Sequence, residues 1–135
     1  MTLKSSKSNE KDKIMKEFKP PINIDDAVLE KFPWGEIRWI WNAKIDADAE
    51  QTLGQVIIYP GKKNTTHTHP NCEELMYILE GECDHWLDDE IYHLKPGMTI
   101  VIPRDVVHYA LVTSIEPLKA MIFYSSPIRE TNVKE

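Results

Sequence analysis

Cysteine is nearly absent: the 135 residues include two, Cys72 and Cys83, with no CxxC spacing. Two such thiols are too few for a disulfide framework or a thiolate metal site. Both are expected to be reduced, and Cys72, with no basic neighbour in sequence, is expected to be a buried, inert thiol. Long apolar runs are missing as well. None approaches the roughly 18 residues of a membrane span, and no apolar h-region follows the first lysines, so a cytoplasmic location and no membrane partner are expected. Positive charge is scarce: 16 Lys and Arg stand against 22 Asp and Glu, a net charge of −6. A nucleic-acid binder needs a basic face, and there is no helix-turn-helix pattern, so no nucleic-acid partner is expected. Internal repeats and long amphipathic helices are also lacking.

What is present is 41% apolar and 28% charged residues, the composition and length of one globular domain. Residues 1–13 hold little but Ser, Lys, Asn and acids, and they cannot bury enough surface to offset their ordering entropy. They read as a disordered tail, followed by an N-terminal extension over 14–33. Within it, residues 25–31 suggest a helical turn with an Asp cap, closed by Pro33. From residue 34 onward, short runs rich in Val, Ile, Trp and Tyr alternate with Gly and Pro turns. Strands are expected at 36–42, 54–59, 74–79, 82–87, 91–94, 98–102, 106–112 and 119–125. That pattern predicts an all-β sandwich or barrel over 34–128, with 129–135 as a C-terminal tail.

Three of the five histidines can take part in chemistry. His67 and His69 flank Thr68, so an extended backbone puts both imidazoles on one face, half of a metal site. A carboxylate at the start of the next strand and His108, far along the chain, can approach the same point. Imidazole with carboxylate suits a divalent transition metal (Fe, Mn, Ni, Co or Zn), one per chain. His85 and His93 sit in an acidic hairpin and read as solvated surface.

The flanking residues resemble the cupin superfamily. Gly61, five residues, His67-Thr68-His69, four residues, Glu74, six residues and Gly81 match its first motif. Gly97, five residues, Pro103 and then His108 resemble its second, with Asp105 in place of a glycine and Val112 in place of an asparagine. Asp tolerates the turn conformation, whereas Val112 takes a polar group off the barrel wall. The resemblance implies a cupin-type jelly-roll β-barrel and a metal held by His67, His69, Glu74 and His108. Glu73 is the competing carboxylate, set aside because Glu74 keeps the six-residue distance to Gly81. Gly61, Gly81 and Gly97 are expected to be turn glycines with positive φ.

The resemblance further implies a metal-dependent enzyme on a small polar, metal-chelating metabolite, by oxygenase, decarboxylase, isomerase or lyase chemistry. A non-catalytic module that binds a sugar-like molecule is the alternative. Parity sends Met76, Ile78 and Ala110 inward beside the metal ligands, as a dry lining that contacts substrate. Arg38 and Gln55 are the polar candidates for substrate contact. Tyr59, Tyr124 and Glu73 are the candidates for moving a proton. A homodimer is expected, with the Trp-rich strand 36–42 as the sheet edge to be covered.

Overall fold

The computed structural model describes residues 18–135. The expected tail and residues 14–17 of the extension lie outside the described residues. A short 3-10 turn, Ile24–Asp26, is followed by eleven strands. They are β1 (Val28–Phe32), β2 (Gly35–Trp41), β3 (Thr52–Ile58), β4 (His67–Thr68), β5 (Glu74–Glu80) and β6 (Cys83–Leu87), then β7 (Glu90–Leu94), β8 (Thr99–Ile102), β9 (His108–Val112), β10 (Leu118–Tyr124) and β11 (Asn132–Val133). All pairings between them are antiparallel.

The strands form two sheets, in the orders β1-β2-β3-β10-β5-β8 and β11-β4-β9-β6-β7. In β3 and β10 burial alternates residue by residue, as period-2 side chains require when one face is covered. Val56, Ile58, Ile78, Ile100 and Ile122 from the first sheet join Cys83, Leu94, Ala110 and Val112 from the second in one apolar core. The expected closed barrel is therefore corrected to two facing sheets. Among the described residues no ladder joins one sheet to the other, and side-chain packing holds them together.

Three further expectations change. Residues 25–31 form no capped helical turn. Asn23, not an Asp, caps the 3-10 turn by accepting the Asp25 N–H at 2.9 Å, and the chain then extends. β1 pairs along its whole length with β2, from Val28 opposite Trp39 to Phe32 opposite Gly35. A full ladder satisfies more backbone groups than one isolated turn, so tertiary pairing overrides local helix preference. The Trp-rich β2 is consequently an interior strand, and among the described residues β1 is the edge on that side of the sheet, with β8 at the other. Residues 129–135 do not hang free: β11 pairs with β4, and Lys63 Nζ lies 2.7 Å from Glu135.

The turns follow the expected chemistry. Gly61, Gly81 and Gly97 all have positive φ. At Gly81 a Cβ would also fall 2.5 Å from the Pro117 carbonyl oxygen. Asp105, in the place of the motif's glycine, adopts φ 65°, the left-handed region that a short polar side chain tolerates. Its N–H donates to the His69 carbonyl at 2.9 Å, so this turn is tied to the histidine segment. Among the described residues no helix is long and apolar enough to cross a membrane.

Candidate metal centre

The two sheets meet in a cluster of four side chains. His67 lies on β4 opposite His108 on β9, and His69 follows β4 directly. Glu74 opens β5 in the other sheet, opposite Ile102 and Tyr124. The Pro70–Glu73 turn carries the chain across. All four are buried, with relative exposures of 8% for His67, 2% for His69 and His108, and 5% for Glu74.

Backbone carbonyls determine which imidazole nitrogen carries the proton. His69 Nδ1–H donates to the Glu130 carbonyl at 2.9 Å, and His108 Nδ1–H to that of Val106 at 2.9 Å. His67 Nδ1–H donates to the Thr65 carbonyl. A carbonyl only accepts, so each Nδ1 is protonated, and in the neutral ring the Nε2 presents a lone pair. Those lone pairs converge. His67 and His69 Nε2 are 3.1 Å apart, and the ligand atoms of the three histidines lie within 4.8 Å of one another. Glu74 Oε1 sits 3.4 Å from His69 Nε2 and 3.3 Å from His108 Nε2.

Acceptors facing acceptors repel in a dry interior, and Glu74 Oε1 and His108 Nε2 have no hydrogen-bond partner. The short Glu74–His distances are thus not satisfied hydrogen bonds in this tautomer. A divalent cation among the four side chains resolves the conflict, and Nδ1 anchoring by carbonyls is how metal-bound histidines are commonly oriented. The residues present fit such an ion.

Electrostatics agree. Burial pushes the His67 imidazole down to about 3. It therefore stays neutral and able to ligate at ordinary pH. Burial, then the Glu74 charge, keeps the Tyr124 phenol well above its ordinary value.

The other candidates divide by strand face. Tyr124 is buried, its ring edge-on to His69 at 5.1 Å between centroids. Met76 is buried on the Glu74 face, while Ile78 and Ala110, both at 0% exposure, are packed into the core with no free surface for a ligand. Arg38, Gln55, Tyr59 and Glu73 point the other way, and this corrects their expected place in the cavity. Arg38 pairs with Glu36 on the outer face at 3.4 Å. Gln55 alternates with buried Val56, and Tyr59 follows buried Ile58 and is 38% exposed. Glu73 precedes inward Glu74 and is exposed. Each lies one residue out of phase with the site, and a one-residue step reverses the face.

His85 is a second correction. It is 1% exposed, with its ring nearly parallel to that of His108 at 5.9 Å. Burial, then His108, lowers its imidazole to about 4, and its Nδ1 has no partner. Its parity with apolar Cys83 and Leu87 was the available signal, obscured by the acidic hairpin around it. His93 is exposed, held by Asp84 and Glu82 at 2.8 Å each. Cys72 is buried, and burial raises its thiol, consistent with an inert role.

Arg129 has no motif to announce it, yet it lines two cavities, one of which reaches His67. The smaller, about 140 Å³, opens on His67 between Trp34, Asn64 and Thr131. The larger, about 460 Å³, lies against Trp39 between Glu30, Lys44 and Ile128 and does not reach the histidines.

With this geometry in place, comparison with known proteins assigns the family. The Cupin_2 model, described as a cupin domain, matches residues 54–124. The chain belongs to that family. It is 34% identical over 121 residues to the uncharacterized protein MJ1618 of Methanocaldococcus jannaschii, covering 90% of this chain and 86% of that protein. It is 28% identical over 87 residues to protein SchB of Streptomyces halstedii, covering 64% of this chain and 63% of that one. Among solved structures, oxalate decarboxylase from Lactobacillus farciminis in a formate complex superposes with a TM-score of 0.75 at 22% identity. That match covers 82% of this chain and 34% of the decarboxylase chain, so the likeness is one of fold.

Proposed function

We propose that the protein is a metal-dependent cupin enzyme acting on a small polar metabolite that can chelate the metal. The observation that carries this reading is the convergence of one ligand nitrogen from each of three histidines within 4.8 Å, each imidazole pinned through Nδ1, beside an unpartnered carboxylate oxygen. His67, His69, His108 and Glu74 would hold one divalent transition metal (Fe, Mn, Ni, Co or Zn). When bound, such an ion supplies Lewis acidity towards a carbonyl or carboxylate oxygen of the substrate.

The chain's own residues set the conditions. The apolar side chains packed around the centre keep bulk water out, which strengthens electrostatic effects there. Tyr124, the one nominated proton carrier that reaches the centre, keeps its phenolic proton at neutral pH. It therefore serves as a hydrogen-bond donor or acid rather than as a base. Phe32 and Trp34, stacked at 4.5 Å, wall the opening beside His67. The exposed β1, with Val28 at 56% and Leu29 at 41%, supports a homodimer formed along that edge.

The test is turnover by metal-loaded protein of a panel of chelating hydroxy- and oxoacids, with O₂ consumption followed in parallel. Product formation that disappears in a folded His69→Ala variant supports an enzyme. Binding without product under every condition would instead make the protein a non-catalytic binding module.

A further inference from the structure

We infer that Arg129 anchors a carboxylate of the ligand, so that the molecule taken up at the His67 opening is an organic anion extending into the larger cavity. This deepens the reading given above and rests on it for the position of the ligand's chelating end.

The guanidinium sits over two aromatic rings. Its Cζ lies 4.7 Å from the Trp39 ring centroid and 5.4 Å from that of Tyr124. Cation–π contact of this kind restrains the side chain, and a guanidinium so placed can offer N–H groups to a carboxylate. No such partner is supplied: among the described residues Arg129 makes no salt bridge. It is partly buried, where an unpaired charge is costlier than on open surface.

The surroundings favour an anion. The larger cavity contains two cations, Arg129 and Lys44, and one acid, Glu30. Glu30 Oε1 already accepts the Trp39 Nε1–H at 2.9 Å, and Lys44 makes no salt bridge among the described residues. A positive pocket in a chain of net charge −6 is a local feature, not a consequence of composition. Arg129 alone borders both this cavity and the one that reaches His67. A carboxylate on its N–H groups therefore lies where the cavity that reaches His67 adjoins the one over Trp39.

The experiment is calorimetric titration of the full chain with 2-oxoacids from pyruvate to phenylpyruvate, each compared with its neutral primary amide. Manganese-loaded and chelator-treated protein are both titrated, with bound metal measured by elemental analysis. Native protein should prefer acid over amide by about tenfold or more, the strength of a hydrogen-bonded charge pair. Arg129→Gln should abolish the preference and leave bound metal unchanged. Arg129→Lys guards against a folding defect: it keeps the charge, loses the fork, and should weaken the preference several-fold. An equal preference in Arg129→Lys and native protein, or in Arg129→Gln, would overturn the proposal, as would no preference across the series. A chain that takes up no manganese yet shows an Arg129-dependent preference would sink the metal reading and leave this one standing.

Discussion

Replacing His85 with Phe tests whether the interior beside the metal centre is as dry as its geometry implies. The imidazole is 1% exposed and its Nδ1 lacks a partner, so it is held neutral in the folded chain. Its folded value is about 4, against 6.5 ordinarily. Between those two values the unfolded chain binds a proton that the folded chain refuses. The stability it permits is complete above pH 6.5 and is lost as pH falls towards 4. The full gap corresponds to about 3 kcal/mol. Phe fills much the same space without a titrating nitrogen, so at pH 7 the variant should lie within about 1.5 kcal/mol of native. Below pH 6.5 it should gain steadily, reaching about 3 kcal/mol relative to native near pH 4. His67, lowered to about 3, has the same sign and leaves a residual acid slope in both proteins. The assay is urea unfolding of chelator-treated protein from pH 4 to 8, read by tryptophan fluorescence. Parallel stability curves for native and variant would refute the reasoning, because they would mean that His85 already takes up its proton in the folded state.

Metal should stabilise the fold. At a hundredfold excess over the dissociation constant the gain is about 2.7 kcal/mol, roughly 8–10 °C in Tm for a chain of this size, and His69→Ala should show no shift by scanning fluorimetry. Leu118, at 0% exposure in the core, should cost about 2–5 kcal/mol on truncation to Ala in urea unfolding. Asp105→Gly should be neutral within about 0.5 kcal/mol or slightly stabilising, since φ is 65° there, whereas Asp105→Val should cost about 1–2 kcal/mol in the same assay.

The strands and the metal-centre geometry were legible for different reasons. Alternation and Gly or Pro turns marked eight strands to within a residue or two, because covered faces and tight turns impose local rules. The His67-Thr68-His69 spacing, Glu74 and His108 were legible because period-2 geometry and motif distances constrain them together. β1 and β11 were not, since pairing with β2 and β4 creates them and their own residues carry little strand signal. Face assignment failed at Arg38, Gln55 and Tyr59 because parity tells which residues share a face without telling which face is inside; at Glu73 the inward Glu74 beside it already implied an outward side chain. Local charge misled at His85, whose acidic neighbours point outward while it points in. Arg129 was invisible for another reason: its partners Trp39 and Tyr124 come from β2 and β10, and only the fold brings them together.

Elemental analysis of protein purified without added metal bears most directly on the claim that four side chains share one cation. The expected result is one equivalent of a divalent transition metal per chain, with most of it lost in both His67→Ala and Glu74→Gln. A full equivalent retained in both variants would contradict the account.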